Sequence, residues 1–114
     1  MTFTVRGVAQ AEAALRASVE RIRDQSNKAV QKAGINTQTD AKIACPVDTG
    51  RLRASIQYIP YISRATVGTN VEYGPFVEFG TSKMREQPFL LPAYDKNVRQ
   101  FIVDCQIIAR GGSI

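Results

Sequence analysis

The rhythm of apolar positions changes at residue 7. Residues 2–6, TFTVR, alternate apolar and polar with the two-residue period of a short strand, and Gly7 closes them. From Val8 to about Lys42 the period lengthens. Leu15, Val19, Ile22, Ala29, Val30 and Ala33 fall close to a spacing of three and four, and the stretch has no proline. This pattern predicts a long amphipathic helix. Continuous over about 30 residues, such a helix spans roughly 45 Å, more than a small domain needs to cover its own core, so part of it would project toward a neighbour. Gly34-Ile35-Asn36-Thr37 leaves a second option open, a kink or a break into two ordinary helices, because glycine followed by Asn and Thr is a stop-and-restart signal. Pro46 ends the region at Cys45 by forcing the preceding residue out of helical geometry.

Ser55–Ile62 and Arg64–Gly68 are richer in β-branched and aromatic residues and predict two antiparallel strands joined around Ser63. Pro60 confines the first to an edge or a bulge. In residues 67–93, Gly68, Gly74 and Gly80 with Pro75, Pro88 and Pro92 leave no room for a long element. Pro75 could open one helical turn carrying Phe76, Val77 and Phe79, and residues 80–88 should form an exposed loop. From about Pro92 to Ala109 a helical register returns in Val98, Phe101, Ile102, Cys105 and Ile108, with Gly111-Gly112 at the expected stop. The pattern predicts an α+β fold: a long N-terminal helix, a small antiparallel sheet of three or four strands with TFTV joining it or a neighbour's, and a C-terminal helix packed on it.

Composition narrows the function more than the fold. The length of 114 residues fits one domain over 1–114. A hydrophobic content of 44% without any long apolar run excludes a membrane-spanning or secreted reading. Histidine is absent, and Cys45 and Cys105 have no ligand at metal spacing, so no metal or other cofactor is expected. Two reduced thiols suit a cytoplasmic chain, and a single disulfide between them stays formally open. The net charge of +5 and pI near 9.6 are compatible with DNA nearby. The basic residues are scattered and not interleaved with aromatics, so the charge alone does not name a nucleic-acid site.

Asp48-Thr49-Gly50 is the triplet of aspartic proteases, whose small retroviral-type subunits are about this size. There the triplet ends an apolar strand, so that two carboxylates meet across a dimer axis. Here it follows a helix, about half the chain reads as helical, and Ala109 stands where the late helical turn of such proteases has glycine. The simpler reading is a chain reversal and cap, with Asp48 and Thr49 accepting free amides and Gly50 taking a backbone angle other residues resist. It holds Arg51-Leu52-Arg53, two guanidinium groups around an apolar anchor, suited to a carboxylate- or phosphate-bearing surface.

VDTGRLRASI, then VGTNVEYGPFVEFGTSKM, then QPFLLPA, in this order and spacing, resemble the head-tail joining, or tail-completion, proteins of long-tailed bacteriophages, the neck family of Hong Kong ninety-seven type. The resemblance runs from about Ala44 to Ala93. It falls on Asp48, Thr49, Gly50, Arg51, Leu52, Tyr73, Phe76, Val77, Glu78, Phe79, Gly80, Thr81, Gln87, Pro88, Phe89, Leu90, Pro92 and Ala93. Gly74 departs from the alanine common in relatives, and Arg85-Glu86 from a small residue. The resemblance implies a structural virion protein without catalytic activity. It would assemble in the host cytoplasm and sit at the neck, in a ring that meets the tail-terminator and head-completion proteins. Six or twelve copies would both suit that place.

The motifs also have a plain physical reading. Tyr73, Phe76 and Phe79 supply apolar area at three-residue spacing, either as an internal mini-core or as a contact patch with Glu78 and Gly80 at its rim. Glu78 suits a pair with Arg51 or Arg53, within the chain or across a subunit boundary. Arg51, Arg53, Tyr73, Phe76, Glu78, Gly80 and Phe89 are therefore the candidate interface. Lys83 and Arg85 in the loop GTSKMREQP would either line a DNA channel or lie solvated against a neighbouring protein. A small basic DNA-binding or packaging accessory protein is the alternative function.

Overall fold

The computed structural model describes residues 2, 4, 6–46 and 50–114. After Gly7 the chain enters α1, Val8–Ala44, a helix of 37 residues that runs unbroken through Gly34. At 1.5 Å per residue it is about 55 Å long. The Asn-Thr stretch that suggested a stop is absorbed into the helix. Thr37 and Thr39 donate their hydroxyls to the carbonyls of Ala33 and Ile35 at 2.7 and 3.0 Å, one turn back. Gly34 serves packing instead of a break: a Cβ there would lie 2.6 Å from Tyr58 Cε2 and 2.9 Å from Ala65 Cβ. The missing side chain lets the hairpin lie directly on the helix. Cys45, extended at ψ 130° as a residue before proline prefers, closes α1 by donating its amide to Ala41 O.

Gly50, at φ 75°, leads into α2, Arg51–Ser55. β1, Gln57–Tyr61, pairs antiparallel with β2, Arg64–Gly68, from Gln57 opposite Gly68 to Tyr61 opposite Arg64. Ser63 makes the turn with φ 59°. Among the described residues the sheet has these two strands, not three or four. Past Gly68 the chain turns into α3, Gly74–Phe79, with Pro75 in its first turn, and adds no further strand. Of the predicted TFTV strand, Phe3 and Val5 lie outside the described residues, and Thr2 and Thr4 are exposed without strand structure.

A two-stranded hairpin is marginal alone, and this one is tied to α1. Gln31 donates to Tyr61 O and Arg64 O at 2.9 and 3.2 Å and accepts from the Tyr58 hydroxyl, while Asn27 Oδ1 accepts the Ser63 amide. α4, Leu90–Ala109, starts two residues before the predicted Pro92, which sits in the first turn where a missing N–H costs no bond. Gly111, at φ 92°, stops it as expected.

α4 runs antiparallel to α1 and is fastened along its length. Arg21 donates to Gly112 O and Ile108 O at the end of α4, Lys32 pairs with Asp104 at 3.1 Å, and Asn97 donates to Asp40 at 2.9 Å. Ala41, Cys45, Leu52, Ile56, Val71, Phe89 and Ala93 form the core where α1, α2 and the start of α4 converge. The N-terminal part of α1 lies outside this body, since every residue from Ala9 to Glu20 is exposed. The molecule measures 86 × 20 × 19 Å with a radius of gyration of 21.2 Å, against about 13 Å for a compact chain of this length. No helix among the described residues is long and apolar enough to cross a membrane.

Candidate assembly surface

The candidate residues spread from α2 through α3 to the start of α4. Val47, Asp48 and Thr49 lie outside the described residues, so the cap predicted for Asp48 and Thr49 falls there too. Gly50 takes the left-handed angle expected of it. In the five-residue α2, Leu52 is buried in the core as the apolar anchor, and the two arginines diverge from it. Arg51 lies at the surface, 4.0 Å from Glu72 and with its guanidinium 5.6 Å from the Tyr73 ring centroid. Arg53 folds inward and donates to Cys45 O at 3.3 Å, while its Nε is buried without a partner among the described residues. Burial raises the pKa of the neighbouring Cys45 thiol, and the positive charge of Arg53 pulls it partly back.

Tyr73 packs on the core, whereas Phe76 and Phe79 on α3 face solvent. The aromatic triplet thus divides: one ring is internal and two are exposed. Glu78, expected at the rim of an aromatic patch as a partner for arginine, is 7% exposed. Its Oε2 accepts the amides of Phe89 and Leu90 at 2.9 and 3.0 Å, and its Oε1 accepts that of Leu91 at 2.8 Å. These N–H groups open α4 and have no acceptor within the helix, so the carboxylate caps α4 from another element and meets the positive end of its dipole. Phe89, also expected at an interface, is 1% exposed because this cap draws it into the core.

Gly80, at φ 78°, ends α3, and a Cβ there would lie 2.8 Å from the Glu86 amide nitrogen. The loop beyond is exposed from Thr81 to Pro88, as predicted. Thr81 and Met84 exchange backbone hydrogen bonds, and Gln87 N–H returns to Val77 O at 2.8 Å. Lys83 and Arg85 stand on this tied loop, both exposed.

A family model for the HK97-gp10-like proteins, described as a candidate tail component of bacteriophage HK97, matches residues 9–80, which is 72 of the 114. The chain belongs to the HK97-gp10-like family. No curated protein and no solved structure matches it. The matched span holds nearly all of α1, then α2, the hairpin and α3. Its last residues include Glu78, whose three amides lie beyond the match, so the family core carries the cap for α4.

The chain is thus a phage tail component of the HK97-gp10-like family, and one feature of its surface was missed in the sequence. Val30, Ala33 and Thr37 of α1, the strand β2, Pro75 and Phe79 of α3, and Leu91 and Tyr94 of α4 enclose an open, mostly apolar groove of about 690 Å³. Leu91, Tyr94 and Phe79 are exposed at its margin. The signal for it lay in α4, where Leu91 and Tyr94 extend the three-and-four spacing of Val98 and Phe101 toward the N-terminus of the helix.

Proposed function

We propose that the chain is a non-enzymatic joint between phage head and tail, a single folded unit over 1–114 that assembles as a homo-oligomeric ring at the neck. The tail-terminator and head-completion proteins are its neighbours there, and the ring surrounds the DNA channel. Arg51, Phe76, Gly80 and the accessible edge of Tyr73 take part in contacts. Arg53, Glu78 and Phe89 act from inside the subunit by fixing α2 and α4. Lys83 and Arg85 face packaged duplex and meet phosphates without reading sequence.

The observation that supports this best is the helix that leaves the body with an uncovered apolar stripe. A tail component that worked as a monomer would gain nothing from exposing Val8, Leu15, Val19 and Ile22 to water, whereas a subunit built into an assembly buries them. A stop codon placed early in this gene should leave filled heads and finished tails separate in the lysate, as seen by electron microscopy. Tails of abnormal length, or normally joined particles, would contradict the reading.

The charge of +5 favours a DNA-packaging accessory as the second reading. Tight binding of the purified chain to free duplex at physiological salt, without affinity for purified tails, would support that one instead.

A further inference from the structure

Val8, Leu15, Val19 and Ile22 are exposed by amounts falling from 73% at Val8 to 41% at Ile22. Their spacings of seven, four and three residues place them on one line along α1. Continued by steps of four, four, three and four, the line runs through Ser26, Val30, Ala33 and Thr37, and the last three form a wall of the apolar groove. Stripe and groove therefore occupy the same face of a single unbroken helix. While α1 is continuous, the stripe cannot fold back into the groove of its own chain.

Both features are costly to leave in water. The groove, of about 690 Å³, opens to water between walls that are mostly apolar. Val8–Glu20 is a stretch of thirteen exposed helical residues, near the lower limit of what is stable unsupported. The half of the stripe from Leu15 to Ile22 rises about 10 Å along the axis, as does the groove wall from Val30 to Thr37, and Val8 extends the stripe by about another 10 Å. The stripe lies on the part of the molecule that projects from the body, so a matching concavity on another molecule can receive it.

We propose that the Val8–Ile22 stripe of one copy of this chain lies in the α1–β2–α3–α4 groove of a second copy. This deepens the self-association in the reading above and rests on it. The two surfaces differ, so the contact is head-to-tail: every copy gives a stripe to one neighbour and a groove to the other, and a rotation that closes yields a ring. A stripe-to-stripe dimer would leave both grooves open.

Two single-cysteine preparations of the full chain test the geometry, one with Leu15→Cys and one with Tyr94→Cys, both in a Cys45→Ala, Cys105→Ser background. Under mild oxidation, or with a short bis-maleimide, the mixture should give a covalent dimer whose linked peptides contain positions 15 and 94. The unaltered chain should sediment above monomer mass. Leu15→Asp should shift it to monomer, with the helical content and melting temperature of the unaltered chain at a dilution where that chain is also monomeric, because Leu15 is 66% exposed. A cross-link in the Leu15→Cys preparation alone, none in the mixture, or a monomer at concentrations up to about 1 mM overturns the proposal. The neck assignment fails separately, in lysates where heads and tails join without this chain.

Discussion

At the residue scale, Glu78 and Gly34 decide how the pieces are held together. Glu78→Ala removes the acceptor for three amides at the start of α4 and should lower stability by about 2–3 kcal/mol, read from urea unfolding. Glu78→Gln should fall between, since the amide keeps one acceptor oxygen but turns a donor toward an N–H. A surface ion-pair role would instead cost under about 1 kcal/mol. Gly34→Ala should destabilise by about 1–3 kcal/mol although alanine favours helices, because its Cβ meets Tyr58 and Ala65. A gain in stability would mean that the glycine is a helix flaw without a packing role. The thiols should separate as well, with Cys105 reacting with maleimide well before Cys45. Burial raises the folded-state pKa of Cys45 above 9.0, so its contribution to stability is whole below that pH and is lost as pH rises past it. Gly50 was legible in the sequence because its conformation is local. Glu78 was not, because the amides it binds lie eleven to thirteen residues further on and belong to a helix whose start had to be known first.

At the element scale, the long helix, the hairpin and the C-terminal helix could be read from their periods and stops. The period of three and four survived Gly34, Asn36 and Thr37 because threonine can return its hydroxyl to the preceding turn, which a stop signal does not reveal. The number of strands could not be read. Aromatic and β-branched residues after Gly68 suit a strand, but Pro75 and the burial of Val71 and Glu78 commit that segment to a turn and α3. The apolar stripe of α1 was visible, while the end at which it leaves the body was not, since a core stripe and an interface stripe look alike until α4 is placed beside one of them. Amides of Ala11–Glu20 should therefore exchange with solvent rapidly in dilute subunit, and those of Ala29–Ala41 slowly. Assembly should protect the first group, a change readable by mass spectrometry; rapid exchange that persists in the assembled form would mean the stripe stays in water.

At the scale of the whole molecule, an 86 Å chain with its core at one end has, on the reading proposed above, the reach to meet a second copy. Arg51 tests whether the α2–α3 surface is part of that reach. Its side chain is 61% exposed, so its ion pairing is screened by water and Arg51→Ala should change subunit stability by less than about 1 kcal/mol. Truncating one partner of a desolvated pair across a subunit boundary typically costs about 3–5 kcal/mol, so the same variant should reduce the yield of joined, infectious particles. Normal joining, or loss of folding, would make Arg51 an internal structural residue. The family match reaches as far as tail component, and the neck position is the central claim beyond it. A reconstruction of the phage particle through the junction of head and tail tests that claim most directly. It should show copies of this chain in a closed ring between the head-completion and tail-terminator proteins, α1 of each lying on the next and the 80–88 loop toward the DNA. Density for this chain elsewhere in the tail, or none at the junction, would contradict it.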